Sequence, residues 1–203
     1  MITWEYGYMK EKNIKIMVLP IIFVALLTSL DQFTKFIIRS KFKLYESKEV
    51  IKNTFAITYI QNKGAAWGVM QGKRVLFLIL TFLVVIGCFY ILYNIINNRK
   101  YIMLTICVIF LISGAVGNMI DRFKFGYVVD FFDFKLIDFP VFNVADIYVT
   151  VSMFVILFLM IFLYKDDDFD EILGRKKSEV ETHEVTVIEE NDENLADNSM
   201  KNK

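Results

Sequence analysis

Four apolar runs limit what this chain can become. Residues 14–38, 75–96, 101–120 and 144–164 are dominated by Ile, Leu, Val, Phe and Met. At about 1.5 Å of rise per helical residue, each is close to long enough to cross a hydrocarbon core of about 30 Å. Backbone inside a bilayer has to satisfy its own hydrogen bonds, so each run predicts a transmembrane helix. Hydrophobic residues make up 56% of the 203 residues, above the roughly 45–50% of soluble domains, and the excess falls in these runs. The first run has a basic approach through Lys10 and Lys12, as a signal peptide would. It meets Asp31 and then resumes through Phe33, Phe36, Ile37 and Ile38, with no small-residue cleavage site, so it reads as a retained helix. The expected fold is an all-α integral membrane protein with four transmembrane helices.

The connections are unequal. Residues 97–100 make a tight polar turn, whereas 39–74 is long for a loop. Within it, Phe55, Ile57 and Tyr59 alternate with Ala56, Thr58 and Ile60, a strand pattern. Gly64, Ala65, Ala66, Trp67 and Gly68 follow. They predict turns, close backbone approach and an interfacial aromatic ring. We therefore expect an extramembrane, β-rich cradle or lid over 39–74. Tyr127 to Phe132 is rich in β-branched and aromatic residues and predicts a short extended segment. Residues 1–13 form a polar N-terminus. From Lys165 the chain turns acidic and polar to residue 203, and this tail is expected to be disordered.

Ionisable residues gather where helices end. Residues 113–146 carry Asn118, Asp121, Arg122, Asp130, Asp133, Asp138, Asn143 and Asp146 between two apolar runs. Charged groups in or beside a bilayer are costly, so such a gathering suggests a site. Asp31 and Lys35 share a helix face. Asn118, Asp121 and Arg122 share another, with Asp121 and Arg122 expected to clamp each other. Ser113 and Gly117 have the small-x-x-x-small spacing of close helix contacts. Asn143 is expected to cap the fourth helix, placing Asp146 in its first turn.

Composition narrows the chemistry. The only histidine is His183, in the tail, and both cysteines, Cys88 and Cys107, lie inside apolar runs. That argues against a Cys/His metal site and against a His-activated nucleophile. There is no phosphate-binding G-x-x-x-x-G-K-[ST] loop and no dinucleotide fingerprint. Carboxylates are the best-supplied acid–base groups. Three readings compete at this point: an enzyme using carboxylates, a small ion- or proton-coupled transporter or channel subunit, and a structural membrane scaffold with no chemistry. The clustering of charges at one end of the bundle favours the enzyme.

Four blocks resemble the bacterial lipoprotein signal peptidases (type II signal peptidases) in order and position. They are Asp31-Gln-Phe-Thr-Lys35; Asn62-Lys-Gly-Ala-Ala66; Gly114-Ala-Val-Gly-Asn-Met-Ile-Asp-Arg122 with Val128-Val-Asp-Phe131; and Phe142-Asn-Val-Ala-Asp146. The resemblance covers about 14–164. It implies a membrane aspartic endopeptidase with both termini in the cytoplasm and its site toward the outer face of the cytoplasmic membrane. Its substrates would be diacylglyceryl-modified prolipoproteins, cut just before the lipidated cysteine. Membrane lipid would be a further partner. No cofactor, metal or nucleic acid is expected, and the chain is expected to act as a monomer. Carried over by motif, Asp130 and Asp146 are the catalytic pair. Asp31, Lys35, Asn62, Gly64, Asn118, Arg122 and Asn143 shape the site or hold substrate. Trp67 departs from the Phe expected there, and the acidic tail is longer than the family leads one to expect.

Asp146 has two upstream candidates as partner, Asp121 and Asp130. The cation beside Asp121 suits a permanent structural pair. Asp130 lies between Val129 and Phe131, with no neighbouring cation, and suits sharing a proton. Asp121 is therefore expected to be structural. Loop charges do not settle orientation. Lys10, Lys12, Lys15, Arg99, Lys100 and Lys165 favour cytoplasmic termini, while Arg39, Lys41, Lys43, Lys48, Lys52 and Lys63 pull the other way.

Overall fold

The computed structural model describes residues 16–64, 73–137 and 139–175. The Trp67 part of the expected lid, with Ala65, Ala66 and Gly68, lies outside the described residues. So do Asp138, residues 1–15 and residues 176–203.

Among the described residues, four helices are long and apolar enough to cross a membrane. They are α1, Val18–Lys41; α2, Arg74–Ile95; α3, Ile102–Phe125; and α4, Val144–Phe162. Each buries a stripe at helical spacing. In α1 the stripe is Val24, Thr28, Asp31, Lys35 and Ile38; in α2 it is Val85, Cys88, Leu92 and Ile95. The rest of both helices presents apolar side chains outward, as a lipid-facing helix does. A 3₁₀ turn, Arg99–Tyr101, joins α2 to α3.

α3 is the central post, packing against α1, α2 and α4. Lipid tails are as apolar as leucine, so helix association in a bilayer depends on close contact rather than on water exclusion. Gly114 supplies that contact. A Cβ there would collide with the carbonyl oxygen of Ala145 and lie 2.8 Å from Cγ2 of Val149. At Gly117 a Cβ would come within 2.5 Å of Oδ2 of Asp31. Gly117 thus makes room for a carboxylate of α1.

Two helix ends differ from the sequence expectation. α1 continues a turn past Ile38 to Lys41, with Arg39 and Lys41 in its last turn, where cations favour the helix dipole. α3 runs past Ile120 to Phe125 and stops at Gly126, whose φ of 80° suits the left-handed helix terminus. Asp121 and Arg122 are therefore helical, well inside the last turns.

A three-stranded antiparallel sheet lies beyond these helix ends, in the order β1 (Ser47–Ile51), β2 (Phe55–Asn62), β3 (Val128–Phe134). The expected β-rich region over 39–74 supplies only two of its strands. The third comes from the α3–α4 connection and pairs with β2, placing Ile60 opposite Asp130 and Asn62 opposite Val128. A bulge between Ile57 and Ile60 shifts the register. Ile38, Tyr59, Val129 and Phe131 form a small core that seats the sheet on the end of α1. Phe142 bridges to Phe132, tying the approach to α4 onto β3. Across the strands, Ser47 Oγ meets Thr58 Oγ1 at 2.7 Å and Thr58 donates to Asp133 at 2.6 Å.

The segment from Lys165 does not begin as coil. A short helix, α5, Asp166–Ile172, opens it. Three aspartates occupy its first turn, where negative charge favours the dipole. The Asp168 carboxylate accepts the Lys165 backbone N–H at 3.0 Å. Net polarity had hidden this local capping.

Gly114→Ala is expected to destabilise the protein by about 1–3 kcal/mol through overpacking. Gly87→Ala adds a methyl that meets nothing within 4 Å and should leave stability unchanged or slightly raised. Thermal unfolding of both purified variants in detergent checks this; equal midpoints would refute the close-contact reading.

Candidate active site

Two carboxylates meet where the sheet crosses the end of the bundle. Asp130 comes from β3 and is 2% exposed. Asp146 comes from the first turn of α4, where Asn143 is the N-cap and forms a reciprocal capping box with it. The Asn143 side-chain oxygen accepts from the Asp146 N–H at 3.1 Å, and Oδ2 of Asp146 accepts from the Asn143 N–H at 3.0 Å. Satisfying the free N–H groups of a helix start thus fixes both side chains.

Three asparagines brace the pair, and neighbours fix which way each amide points. The oxygen of Asn62 accepts the Gly64 backbone N–H at 2.9 Å, leaving its NH₂ to donate to Asp130 at 2.9 Å. The oxygen of Asn143 is taken by the Asp146 N–H, so its NH₂ donates to Asp130 at 2.6 Å. Asn118 donates to Oδ1 of Asp146 at 2.8 Å and accepts from Lys35 at 2.9 Å. Amide donors on both Asp130 oxygens favour its ionised form. Burial and the nearby charge of Asp146 oppose them and prevail, pushing Asp130 from 3.8 up to about 7.

Arg122 brings a cation to this region. Its Nη2 donates to the Gly64 carbonyl at 3.2 Å, and its guanidinium stacks over Phe77 at 4.8 Å. The expected Asp121–Arg122 clamp does not form. Adjacent helical residues point about 100° apart, and Asp121 turns inward to Lys35 at 3.2 Å. Lys35 also pairs with Asp31 at 2.9 Å, and all three are at most 1% exposed. Asp31 Oδ1 accepts the Ala145 N–H at 3.0 Å, and Asp121 Oδ2 accepts the Val129 N–H at 3.1 Å. This cluster lies behind the pair and anchors the starts of α4 and β3.

A cavity of about 950 Å³ opens in front. Asn62, Asn118, Arg122, Asp130 and Asp146 form its polar wall. Leu44, Ile60, Phe139, Val141, Phe142, Ile147 and Val151 give it an apolar one. Ile147 and Val151 are exposed on α4, so the apolar wall continues onto a surface suited to lipid. Tyr45 stands at this cavity with φ of 66°, a strained setting for a bulky residue.

Every site residue named from the sequence falls in this region. Asn62, Asn118, Arg122, Asp130 and Asp146 line the cavity; Gly64 and Asn143 hold their neighbours; Asp31, Lys35 and Asp121 sit behind. Sequence reasoning passed over Gln32, which donates to Asp121 at 3.0 Å and to the Gly117 carbonyl at 3.1 Å. Its place within the Asp31–Lys35 block was the available signal. Leu44, Tyr45 and residues 139–141 carried none, since only the tertiary fold brings them to the cavity.

Fold and site together define an integral membrane protein with a carboxylate-lined cavity at one end of its helices. A family profile described as signal peptidase (SPase) II matches residues 22–162. The chain is 43% identical over 131 residues to a lipoprotein signal peptidase of Halothermothrix orenii, covering 64% of this chain and 87% of that one. It is 41% identical over 145 residues to that of Caldanaerobacter subterraneus subsp. tengcongensis, covering 71% and 97%. A bacterial membrane enzyme solved in meso at 2.3 Å superposes with a TM-score of 0.63 at 34% identity, over 70% of this chain and 86% of the other. The chain belongs to the signal peptidase II family: it is a membrane protease that removes signal peptides. These similarities give no support to the transporter or channel alternative.

The raised Asp130 value has a consequence for stability. A carboxyl bound more tightly to its proton in the folded state stabilises fully below about 3.8, and that contribution is lost as pH rises through about 7. Asp130→Asn cannot titrate, so whatever it costs sterically is the same at every pH. The wild type should therefore lose a few degrees of unfolding midpoint relative to Asp130→Asn between pH 4.5 and pH 8. A constant gap across that range would contradict the burial argument.

Proposed function

We propose that the chain is an aspartic endopeptidase of diacylglyceryl-modified prolipoproteins, with Asp130 and Asp146 as its catalytic pair. The observation that carries this reading is the facing of two carboxylates, one of them raised to about 7, into one half-apolar cavity. Two close carboxyls share one proton because ionising both is costly. The ionised partner takes a proton from water as the water oxygen bonds to the peptide carbonyl carbon. The protonated partner gives its proton to the carbonyl oxygen, leaving a tetrahedral diol. As the C–N bond breaks, the first carboxyl returns its proton to the leaving amine, and the second recovers one from the diol. Asn62, Asn118 and Asn143 hold the carboxylates. Arg122, held by the Gly64 carbonyl, forms part of the wall that receives the peptide, while Asp31, Lys35 and Asp121 fix the backbones beneath it.

The cut falls just before the lipidated cysteine. Acyl chains contribute about 0.8 kcal/mol per buried CH₂, and the apolar wall running out along Ile147 and Val151 gives them a path from lipid. The enzyme acts as a monomer in the bacterial cytoplasmic membrane. Its site faces outward, and residues 1–13, 97–100 and 165–203 face the cytoplasm. Single cysteines at Ser47 and Asn98, probed with an impermeant thiol reagent on whole cells, should label at Ser47 only; the reverse pattern inverts this orientation.

The deciding experiment is cleavage by purified variants in detergent. Asp130→Asn and Asp146→Asn should each lower turnover by at least about a thousand-fold, with the protein still folded. Asp121→Asn should lower the unfolding midpoint and keep measurable specific activity. Precursor lacking diacylglycerol should not be cut. An active Asp130→Asn beside an inactive, normally stable Asp121→Asn would transfer the role to Asp121.

A further inference from the structure

Lys35 does not line the cavity, yet one side chain separates its ammonium from Asp146. Its three N–H bonds meet three acceptors: Oδ2 of Asp31 at 2.9 Å, Oδ1 of Asn118 at 2.9 Å and Oδ2 of Asp121 at 3.2 Å. An ammonium only donates, so the carbonyl end of Asn118 has to face it. The other end, NH₂, then has to face Asp146, where it lies 2.8 Å from Oδ1. A half-turn of the amide would set NH₂ against ammonium and carbonyl against carboxylate, two contacts between like partial charges in a largely buried place. Asn143 reinforces the observed setting by donating to the same Asn118 oxygen at 3.3 Å.

We propose that Lys35 is a positioning residue of the hydrolytic reaction: by orienting Asn118 it keeps an N–H donor on Asp146, making Asp146 the carboxylate that takes the proton from the attacking water. This rests on the Asp130–Asp146 reading above. Both oxygens of Asp146 are met by donors, Asn118 at one and the Asn143 backbone N–H at the other, which suits a carboxylate. Asp130 also receives two amides, but the oxygens of those amides are held by the backbone N–H groups of Gly64 and Asp146 rather than by an ammonium, and Lys35 acts on Asp130 through its charge. The other charges around Asp146 act on both members of the pair or in the same sense as Lys35. Arg122 on α3 attracts both, Asp146 more than Asp130. Lys63 lines the cavity beside both. Asp31 and Asp121 lie beyond Lys35, which offsets part of their charge. Among the described residues, the remaining charge facing Asp146 is Asp130 itself, which completes the division of roles: Asp130 carries the proton destined for the carbonyl oxygen.

The test removes the orienting cation without changing the charge of its cluster. Lys35→Met/Asp121→Asn replaces one cation and one anion, with Asp121→Asn as its control. Relative to wild type, whose cluster charge the double variant keeps, and beyond any change in the control, kcat on lipidated precursor should fall ten-fold or more with KM changed less than two-fold. The acid edge of the kcat–pH profile should move to higher pH. Asn118→Leu should do the same, and combining it with the Lys35 change should cost little more, because both break one chain of contacts. An unmoved acid edge, or losses that multiply, would show that Lys35 does not act through Asn118. If the Lys35 variants fail to fold, Asn118→Asp keeps an acceptor for Lys35 while presenting oxygen to Asp146. It should move the acid edge in the same direction, and an unchanged edge would overturn the proposal. An active Asp146→Asn would instead remove the catalytic pair on which the proposal rests.

Discussion

One buried ammonium lets three helices and a strand share a charged layer. Asp31 and Asp121 are both removed from solvent, and without Lys35 between them each would be an uncompensated charge. Stranding one member of a buried ion pair costs about 3–5 kcal/mol. The cluster does more than bring opposite charges together. Asp31 receives the Ala145 N–H from the start of α4, and Asp121 receives the Val129 N–H from β3. Each of those N–H groups lies next to a proposed catalytic aspartate in sequence. The ion cluster therefore sets the height of Asp146 against that of Asp130. Such a device specifies register more than it stabilises, since well-packed apolar residues could match its energy.

Room for that cluster comes from the helix packing, not the reverse. Gly117 gives Asp31 its place, and Gly114 lets the backbone of α4 come against α3 at Ala145. With larger residues at either position, the first turn of α4 would stand off, and the Ala145 N–H would miss Asp31. The sheet then has a definite surface to close against. Its own core, Ile38 with Tyr59, Val129 and Phe131, joins it to the last turns of α1, the helix that supplies Lys35. The site is thus fixed by backbone donors and short side chains on rigid elements, which is what accurate placement of reacting groups requires.

The sequence made the membrane part legible because hydropathy over twenty residues is a coarse signal that a bilayer enforces strongly. The blocks around Asn62 and Asn143 were legible because they stand at a strand end and a helix start, where capping chemistry limits residue choice; those around Asp31 and Asn118 were legible because polar and charged residues are costly inside an apolar helix. Partner assignment was not legible. Asp121 was matched to Arg122 because they are adjacent, whereas helical geometry sends them to different faces. The third strand was only half visible: the extended character of residues 127–132 could be read, but its pairing with β2 depends on a bulge and on the course of the loop. β1, exposed along its whole length, has no apolar alternation to announce it. The acidic stretch after Lys165 was read as coil from average polarity, which cannot register a helix made by one capping carboxylate.

The way the site holds its cation follows from the same logic of limited neutralisation. Arg122 is close enough to attract both Asp130 and Asp146, but its recorded hydrogen bond goes to the Gly64 carbonyl and its face rests on Phe77. A guanidinium bonded bidentately to either aspartate would be among the stronger contacts available and would hold that carboxyl ionised. The pair could then no longer pass a proton between its members. Braced by neutral amides instead, Asp130 keeps a value of about 7, where both protonation states are accessible near neutral pH. The positive charge is left facing the cavity, available to negative charge that develops on a substrate carbonyl and not committed to either carboxylate.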